Sequence, residues 1–456
     1  METARVPRIQ AWFAAATAVL LIAVGVIRAG VTQILFADGS NFLIQIVHNR
    51  GFFLVANRHE VEILCEFPAV IGVRVFNVHS YHTLALLLGI GYFVIPAAIC
   101  ALAVYTARND RTLLLYAAVS SCLLLSLADG LIGESAPGTA IFIYGSTLLL
   151  LPERLSRVKV VCLTIVALLT FNTYESFAVL APVLIVFLIV RQRRSDRRLP
   201  TWQAILVGSI LAVASVYNWI WLLTPGNANR DSLIQQGTHI SLYSDAARMA
   251  ILWTFVIIAM LLVLGIVVDA LSPSVTRAVQ AGLVAVGVVL ILEYRAHAVQ
   301  ELPIYTYLFR GDIAAVVVML SLVACGIGLS TAHRPPRRGT MWVVIGFGLL
   351  ALISSVGEAQ GWSRYQAAFA HGVATHHGSV PVTGLGIPAR IEWNYYWGWP
   401  ESDLGIVLSG NQGVVGVRNL PGNNLSFLGQ LETEVFYYAA HPSLKNLPQG
   451  LHGYRW

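Results

Sequence analysis

The sequence has 456 residues, of which 57% are hydrophobic and only 11% are charged. Soluble globular proteins carry about 25% charged residues, so this composition excludes an ordinary soluble protein. The apolar residues occur in long blocks separated by short charged segments, which predicts a multi-span membrane protein. Its spans must be helical, because lipid offers the backbone no hydrogen-bond partner. The formal net charge of +6 comes from arginine in the connecting loops, where it sets orientation, and we expect no nucleic-acid partner.

Hydropathy predicts an all-α polytopic membrane protein with about eleven transmembrane helices, several of them shorter than the roughly 20 residues that usually cross a bilayer. The first apolar segment follows two basic residues, Arg5 and Arg8, which is also the order in a signal peptide. Its apolar run is too long for a signal peptide, so we interpret it as an uncleaved transmembrane helix. The predicted spans are residues 11–30, 83–105, 112–130, 138–151, 159–172, 177–191, 202–222, 249–270, 278–293, 309–330 and 341–356.

The charges of the loops orient these spans. With a cytoplasmic N-terminus, alternate loops such as residues 191–198 and 333–338 are short and basic, as the positive-inside rule requires. The opposite loops are longer and hold most of the acidic residues. An odd number of spans places the C-terminus on that opposite, extracytoplasmic side. We therefore expect an integral protein of a bacterial inner or plasma membrane, surrounded by membrane lipids.

Two segments outside the membrane are long. The first extracytoplasmic loop covers residues 31–82, and its segments 41–53 and 61–76 suit helices that lie at the membrane interface. We expect the transmembrane domain to cover residues 1–356, with this loop included. Residues 357–456 carry Gly-rich turns between short β-branched runs, which predicts a small mixed or β-rich extracytoplasmic domain. Its aromatic run, residues 393–399, suits an interfacial anchor or a small core better than sugar stacking.

Asp38 follows the first span directly, in Ala37-Asp-Gly-Ser40. One interpretation is a turn, because Asp-Gly is a common turn pair. The other is a general base that takes a proton from a sugar or lipid hydroxyl, since a carboxylate can contact that hydroxyl while burial tunes its pKa. The position after the first span and before an amphipathic loop favours the base.

Three further acids lie at span ends on the same predicted side: Asp129, Glu134 and Glu175. Charged groups at membrane depth are costly and need a partner or a purpose, so a shared cavity lined with carboxylates is the simplest way to house them. Asp129 repeats the Ala-Asp-Gly pattern and is a candidate second acid that orients an acceptor. Carboxylates also bind hard cations. No Asp-x-Asp pair is present to indicate a metal site. The sequence therefore leaves open whether the protein needs Mg²⁺ or Mn²⁺, and no cofactor is assigned.

Basic residues near the ninth and tenth spans are candidates for phosphate binding. Arg295, His297 and Arg310 flank residues 304–309, and arginine binds phosphate through a planar fork of donors. The alternative is that these residues pair with acids at the membrane edge.

The first loop also carries His59 and Glu60, followed by Glu62 and Glu66. Their spacing is not that of a zinc site, whose ligands on one helix face lie three or four residues apart. A solvated loop face is the favoured interpretation, with His59 and Glu60 kept as candidate site residues. Arg50 and Arg58 could then contact lipid headgroups.

These features resemble the GT-C superfamily of integral-membrane glycosyltransferases. The resemblance rests on the second half of the first span, on Phe36-Ala-Asp-Gly-Ser40, on the loop at residues 41–76 and on the C-terminal segment 357–456. It covers the architecture of the whole chain, whereas the matching motif itself is short. Many members carry a paired acidic motif where this chain has the single Asp38, which leaves open the metal dependence and whether Asp38 or Asp129 is the main acid.

The resemblance implies a polyprenyl-phosphate sugar as donor and a glycan, lipid or protein as acceptor on the extracytoplasmic face. Asp38 would be the base, the transfer would invert the anomeric centre, and Arg295 or Arg310 would stabilise the departing phosphate. The runner-up is a transporter or flippase of a lipid-linked saccharide that uses the same charged groups for binding. An O-antigen polymerase or ligase and a non-catalytic scaffold are further alternatives.

Overall fold

The computed structural model is mostly helical. In the first half of the chain, helices α1 to α5 are Arg8–Gly30, Gly39–Asn49, His59–Arg74, Tyr81–Gly89 and Ile95–Ala107, with a 3-10 turn at Gln33–Leu35 and a π-helical segment at Ile90–Val94. Helices α6 to α10 are Arg111–Leu127, Ser135–Leu150, Arg157–Leu169, Phe177–Gln192 and Thr201–Leu223. Helix α11 is Arg338–Thr375 and α12 is Glu401–Ser409, while strands β1 and β2 are Ser379–Pro381 and Gly416–Arg418. The structure describes residues 8–54, 58–127, 133–194, 196, 198–224, 338–376, 379–388, 395, 401–409, 416–418, 451 and 453–456, with helical residues between 314 and 326.

Among the described residues, three helices are long and apolar enough to cross a bilayer. They are Ile9–Gly30, Tyr81–Ala107 and Thr201–Leu223, and they coincide with the first, second and seventh predicted spans. Shorter apolar helices occupy the third, fourth and sixth predicted positions. These helices indicate a membrane protein. The predicted spans 249–270 and 278–293 lie outside the described residues, so the total of about eleven stays a prediction.

The chain divides into two compact units. The first comprises Met1–Val24, Pro96–Leu131 and Ser135–Ser355. A buried side chain caps the end of one helix within it. The guanidinium of Arg191 donates to the carbonyls of Leu149 and Leu151 at the end of α7, at 3.1 and 2.9 Å. A cation placed there also meets the negative end of the helix dipole, so Arg191 has a structural role beyond setting orientation.

The second unit comprises Gly25–Ile95, Ile132–Glu134 and Val356–Trp456. Both helices predicted for the first loop are present in it, as α2 and α3. Helix α2 is buried from Gly39 to Val47, so protein covers the apolar side chains that were expected at the membrane interface. Helix α3 buries Glu62 and Glu66 and exposes Ile63 and Phe67, by 43% and 53%. Val61, Cys65 and Val70 are buried beside the two acids, so the buried face of α3 combines carboxyl groups with apolar side chains.

The predicted domain boundary at residue 356 falls inside a continuous helix, because α11 continues to Thr375. Its second half carries Trp362, Tyr365 and Phe369, which pack with Phe36 and Tyr395 into one aromatic cluster. This confirms that Tyr395, from the predicted aromatic run, fills a small core. The described strands of the C-terminal segment are three residues each and pair in parallel, so a β-rich domain is not confirmed.

Candidate functional site

The Ala37–Gly39 turn fixes the position of Asp38 at the start of α2. Ala37 has a φ of 53°, a left-handed conformation that residues with a Cβ seldom adopt. A Cβ on Gly39 would overlap the carbonyl oxygen of Ile34, so glycine is required there for close backbone approach. The carbonyl of Asp38 accepts the amide of Phe42 at 3.0 Å, which closes the first turn of the helix. A strained residue beside a functional candidate is typical of sites where geometry matters more than local stability.

Asp38 is half-buried, and every other residue from 32 to 47 is buried. The Asp38 carboxylate does not cap α2, although a side-chain cap is what aspartate usually supplies at this position. The structure thus places one accessible carboxylate in an otherwise enclosed segment. That placement weakens the interpretation of Asp38 as a simple turn or cap residue.

A second acid lies close to the first turn of α2. The side-chain amide of Asn41 donates to Oδ2 of Asp403 at 3.1 Å, and both residues are buried. Asp403 lies in the first turn of α12. Burial raises its pKa to about 7, although the Asn41 hydrogen bond opposes the rise. At neutral pH this carboxyl group can therefore either accept or donate a proton.

A cluster of ionisable side chains lies between α3 and the residues before α7. Nη1 of Arg58 is 2.9 Å from Oε2 of Glu134, and the two side chains are 10% and 1% exposed. Glu66 is fully buried, and its Oε2 accepts the backbone amide of Phe53 at 2.8 Å. Buried charges are stable only when they are paired and hydrogen-bonded. The Arg58–Glu134 ion pair provides that compensation.

Burial raises the pKa of Glu66 to about 9, with a smaller contribution from the negative charge of Glu134, and the Phe53 amide acts in the opposite direction. Glu66 is therefore protonated at neutral pH. The neighbouring Cys65 thiol also has a pKa well above its usual value, because it is buried and faces Glu134, Glu66 and Glu62. The cluster is thus a place where a proton can be held inside the protein.

Aromatic side chains connect α2 to this cluster. The ring of Phe42 lies 5.8 Å from that of Phe53 and 5.9 Å from that of Tyr92. Tyr92 belongs to the π-helical segment, where a Cβ on Gly91 would overlap the carbonyl oxygen of Cys65. Such single π turns are frequent at functional sites. Asp38 therefore begins the helix whose next turn packs against the acid cluster.

The structure places the predicted site residues in three different settings. Asp38 lies at the start of α2, His59 and Glu60 are half-buried at the start of α3, and Glu134 is paired with Arg58. Glu175 belongs to the first unit, where it is buried just before α9. Asp129, Arg295, His297 and Arg310 lie outside the described residues, so the predicted shared cavity stays a prediction.

The interpretation of Glu62 and Glu66 as a solvated face is wrong, because both side chains are buried. Arg58 likewise pairs with Glu134 instead of extending to lipid headgroups. Within the described ranges, no group of three or more histidine, cysteine or acidic side chains is placed to hold a metal ion.

Four charged residues of the second unit were not predicted as site residues. Glu66 and Glu62 are four residues apart, a spacing that puts them on one helix face and could have signalled a buried cluster. Arg28 is almost fully buried in the last turn of α1, 5.8 Å from the ring of Phe93, and a charged residue inside a span is a functional signal in itself. Asp403 gave no such signal, since acids are common in the first turn of a helix.

No protein-family model matches the chain, and comparison with curated proteins and with solved structures finds no significant match.

Proposed function

We propose that the chain is an integral-membrane glycosyltransferase. It moves a sugar from a polyprenyl-phosphate donor to a glycan, lipid or protein acceptor on the extracytoplasmic face, with inversion at the anomeric carbon. One observation carries the proposal: Asp38 is the accessible acid in a segment that is otherwise buried from residue 32 to residue 47. The half-exposed side chain makes no N-cap hydrogen bond to α2, and in this proposal it contacts the acceptor hydroxyl at the exposed edge of the buried segment.

In this proposal Asp38 accepts the proton of the acceptor hydroxyl while the oxygen attacks the anomeric carbon. The bond between that carbon and the phosphate oxygen breaks, and polyprenyl phosphate leaves with the electron pair. Developing negative charge on the phosphate requires fixed cationic donors, the role given to Arg295, Arg310 and His297. Asp129 and Glu175 are kept as acceptor-orienting acids, and a divalent cation could act at the same phosphate.

The test is a transfer assay with the purified full chain in nanodiscs. Labelled polyprenyl-phosphate hexoses and pentoses serve as donors, and a membrane extract supplies acceptors. We expect Asp38→Asn to lower label transfer at least about a hundredfold, since loss of a general base usually reduces the rate 10²–10⁴-fold. Asp38→Glu should retain part of the activity.

The matched control is Asp196→Asn, which removes an exposed aspartate from the loop between α9 and α10. It should leave transfer unchanged, and all variants should elute and melt like the parent protein. Undiminished transfer by Asp38→Asn would remove Asp38 from the mechanism. Absence of transfer from every donor by the parent protein would overturn the proposed function.

The second candidate is a transporter or flippase of a lipid-linked saccharide, and the Glu66 cluster is the observation that favours it. Buried carboxyl groups that bind protons are typical of proton-coupled transport pathways in membranes. Proteoliposomes with a trapped pH dye distinguish the two. Proton uptake that depends on the saccharide lipid and disappears in Glu66→Gln supports transport, whereas sugar transfer without proton uptake supports the transferase.

A further inference from the structure

Helices α9 and α10, with the loop between them, line a groove of about 740 Å³ in the first unit. Its walls are mainly aliphatic and include Ile185, Leu188 and Ile205. The groove is open along one side, and the exposed apolar side chains beside it continue its surface. Helix α10 is long and apolar enough to cross a bilayer, and α9 is a shorter apolar helix, so in a membrane an open apolar groove on this pair would face lipid tails.

One end of the groove is charged. Arg193 and Arg198 line it, and both are exposed. Nε of Arg198 donates to the carbonyl of Gln192 at 2.7 Å. The side chain of Gln192 in turn accepts the amide of Leu199 at 3.0 Å. These bonds hold the Arg198 guanidinium at this end of the groove, and Arg193 lies in the same part of the lining.

The position of this end along the membrane follows from Trp202. That side chain is 65% exposed in the first turn of α10, and exposed tryptophan is enriched where lipid headgroups begin. From Thr201 to Ala212 the groove follows α10 for about 16 Å at 1.5 Å per residue. This is roughly half of a hydrocarbon core of about 30 Å, which is the depth of one leaflet.

We propose that this groove binds one anionic glycerophospholipid. An acyl chain lies between α9 and α10, and the lipid phosphate lies between Arg193 and Arg198. Charge complementarity selects the ligand, because basic pockets between membrane helices retain anionic headgroups and arginine holds phosphate through its fork of donors. The site is separate from the proposed glycosyl transfer and does not depend on it.

Native mass spectrometry of the full chain tests the proposal, with dioleoyl-phosphatidylglycerol and dioleoyl-phosphatidylcholine as probes. We expect tighter binding of phosphatidylglycerol. Arg193→Gln with Arg198→Gln should reduce that preference about fivefold for each guanidinium removed. The control pair, Arg108→Gln with Arg157→Gln, removes the same charge outside the groove and should keep the preference.

A second pair of variants separates the groove from general charge. Ala212→Phe obstructs the deep end and should weaken binding of both lipids, whereas Val213→Phe, on the neighbouring exposed position outside the lining, should not. The proposal would be overturned if both pairs of arginine variants lost the preference for phosphatidylglycerol equally. It would also be overturned if Ala212→Phe bound both lipids as well as the parent protein does. Displacement of the lipid by glycerol phosphate alone would also overturn it, because the ligand would then be a free phosphate.

Discussion

Nη1 of Arg58 lies 2.9 Å from Oε2 of Glu134, and the two residues are 76 positions apart in the sequence. Their ion pair ties the start of α3 to the residue that precedes α7. Both side chains are nearly excluded from solvent, so neither charge could remain in place without the other.

Replacing Arg58 with methionine should therefore destabilise the protein strongly. Removal of one partner from a buried pair leaves an uncompensated charge and costs about 3–5 kcal/mol. Equilibrium unfolding in mixed micelles should show this loss, and Glu134→Gln in the same chain should recover part of it. The exposed pair of Lys159 and Glu153 is the control, since Lys159→Ala should cost less than about 1 kcal/mol. Equal losses in Arg58→Met and Lys159→Ala would contradict the burial of the pair.

Glu66 should make the protein less stable as the pH rises. Its pKa in the folded protein is about 9, above the 4.5 of an exposed glutamate. Between these values the folded state holds a proton that the unfolded state has released, so stability falls as the pH rises through this window. The slope is at most about 1.4 kcal/mol per pH unit.

Glu66→Gln should abolish this slope and make the variant more stable than the parent at pH 8. Melting temperatures between pH 5 and 9 measure the effect, with the exposed Glu153→Gln as control. Parallel curves for the parent and Glu66→Gln would show that Glu66 is ionised in the folded state.

Asn41→Ala should destabilise the protein, and more so at high pH. The Asn41 amide donates to Asp403, whose pKa is about 7. Above that value the bond serves a buried carboxylate, and bonds to charged groups contribute more than bonds to neutral ones. We expect a loss of about 1–3 kcal/mol at pH 8.5 and a smaller one at pH 6. In a chain that also carries Asp403→Leu, Asn41→Ala should cost the same free energy of unfolding at pH 6 and at pH 8.5. If Asn41→Ala alone gave a loss that does not depend on pH, a pKa of about 7 for Asp403 would be contradicted.

Gly91 should not tolerate a methyl group. An added Cβ would overlap the carbonyl oxygen of Cys65, whereas a Cβ on Gly30 meets no atom within 4 Å. Gly91→Ala should therefore lose at least the roughly 1–3 kcal/mol typical of overpacking, while Gly30→Ala should lose nothing. Size-exclusion profiles and melting temperatures of the two variants provide the comparison. Matching behaviour would mean that the π-helical segment does not contact α3 closely.

The sequence predicted both loop helices because each is a short apolar stretch interrupted by polar residues. It could not predict which face of α3 points inward. In a soluble protein the acids of Glu62 and Glu66 would face water, whereas here Ile63 and Phe67 are the exposed groups. Because Val61 and Cys65 are buried beside these acids, the buried face of α3 is mixed, and hydropathy alone does not predict such a face.

The continuation of α11 was missed for a related reason. Glycine and polar residues after position 356 lower the hydropathy and suggested that the helix ends there. Gly361 in fact allows close packing, since a Cβ at that position would overlap the hydroxyl of Tyr395. Tyr395 is 34 positions further along the chain, and a partner at that distance cannot be read from a local pattern. The position of Asp38 directly after the first span, in contrast, is a local feature of the sequence, while its role as a base stays a proposal.

The second unit imposes an order on biosynthesis. Thr32 bonds to Gln366 and Asn41 to Asp403, across 334 and 362 residues. At about 5–20 residues per second, the ribosome needs roughly 20–70 s after making the first partner to make the second. Thr32 and Asn41 therefore lack these two partners until most of the chain has been made. A truncated chain that ends before α11 would lack both Gln366 and Asp403, so the segment around Asp38 would stay without two of the contacts that bury it.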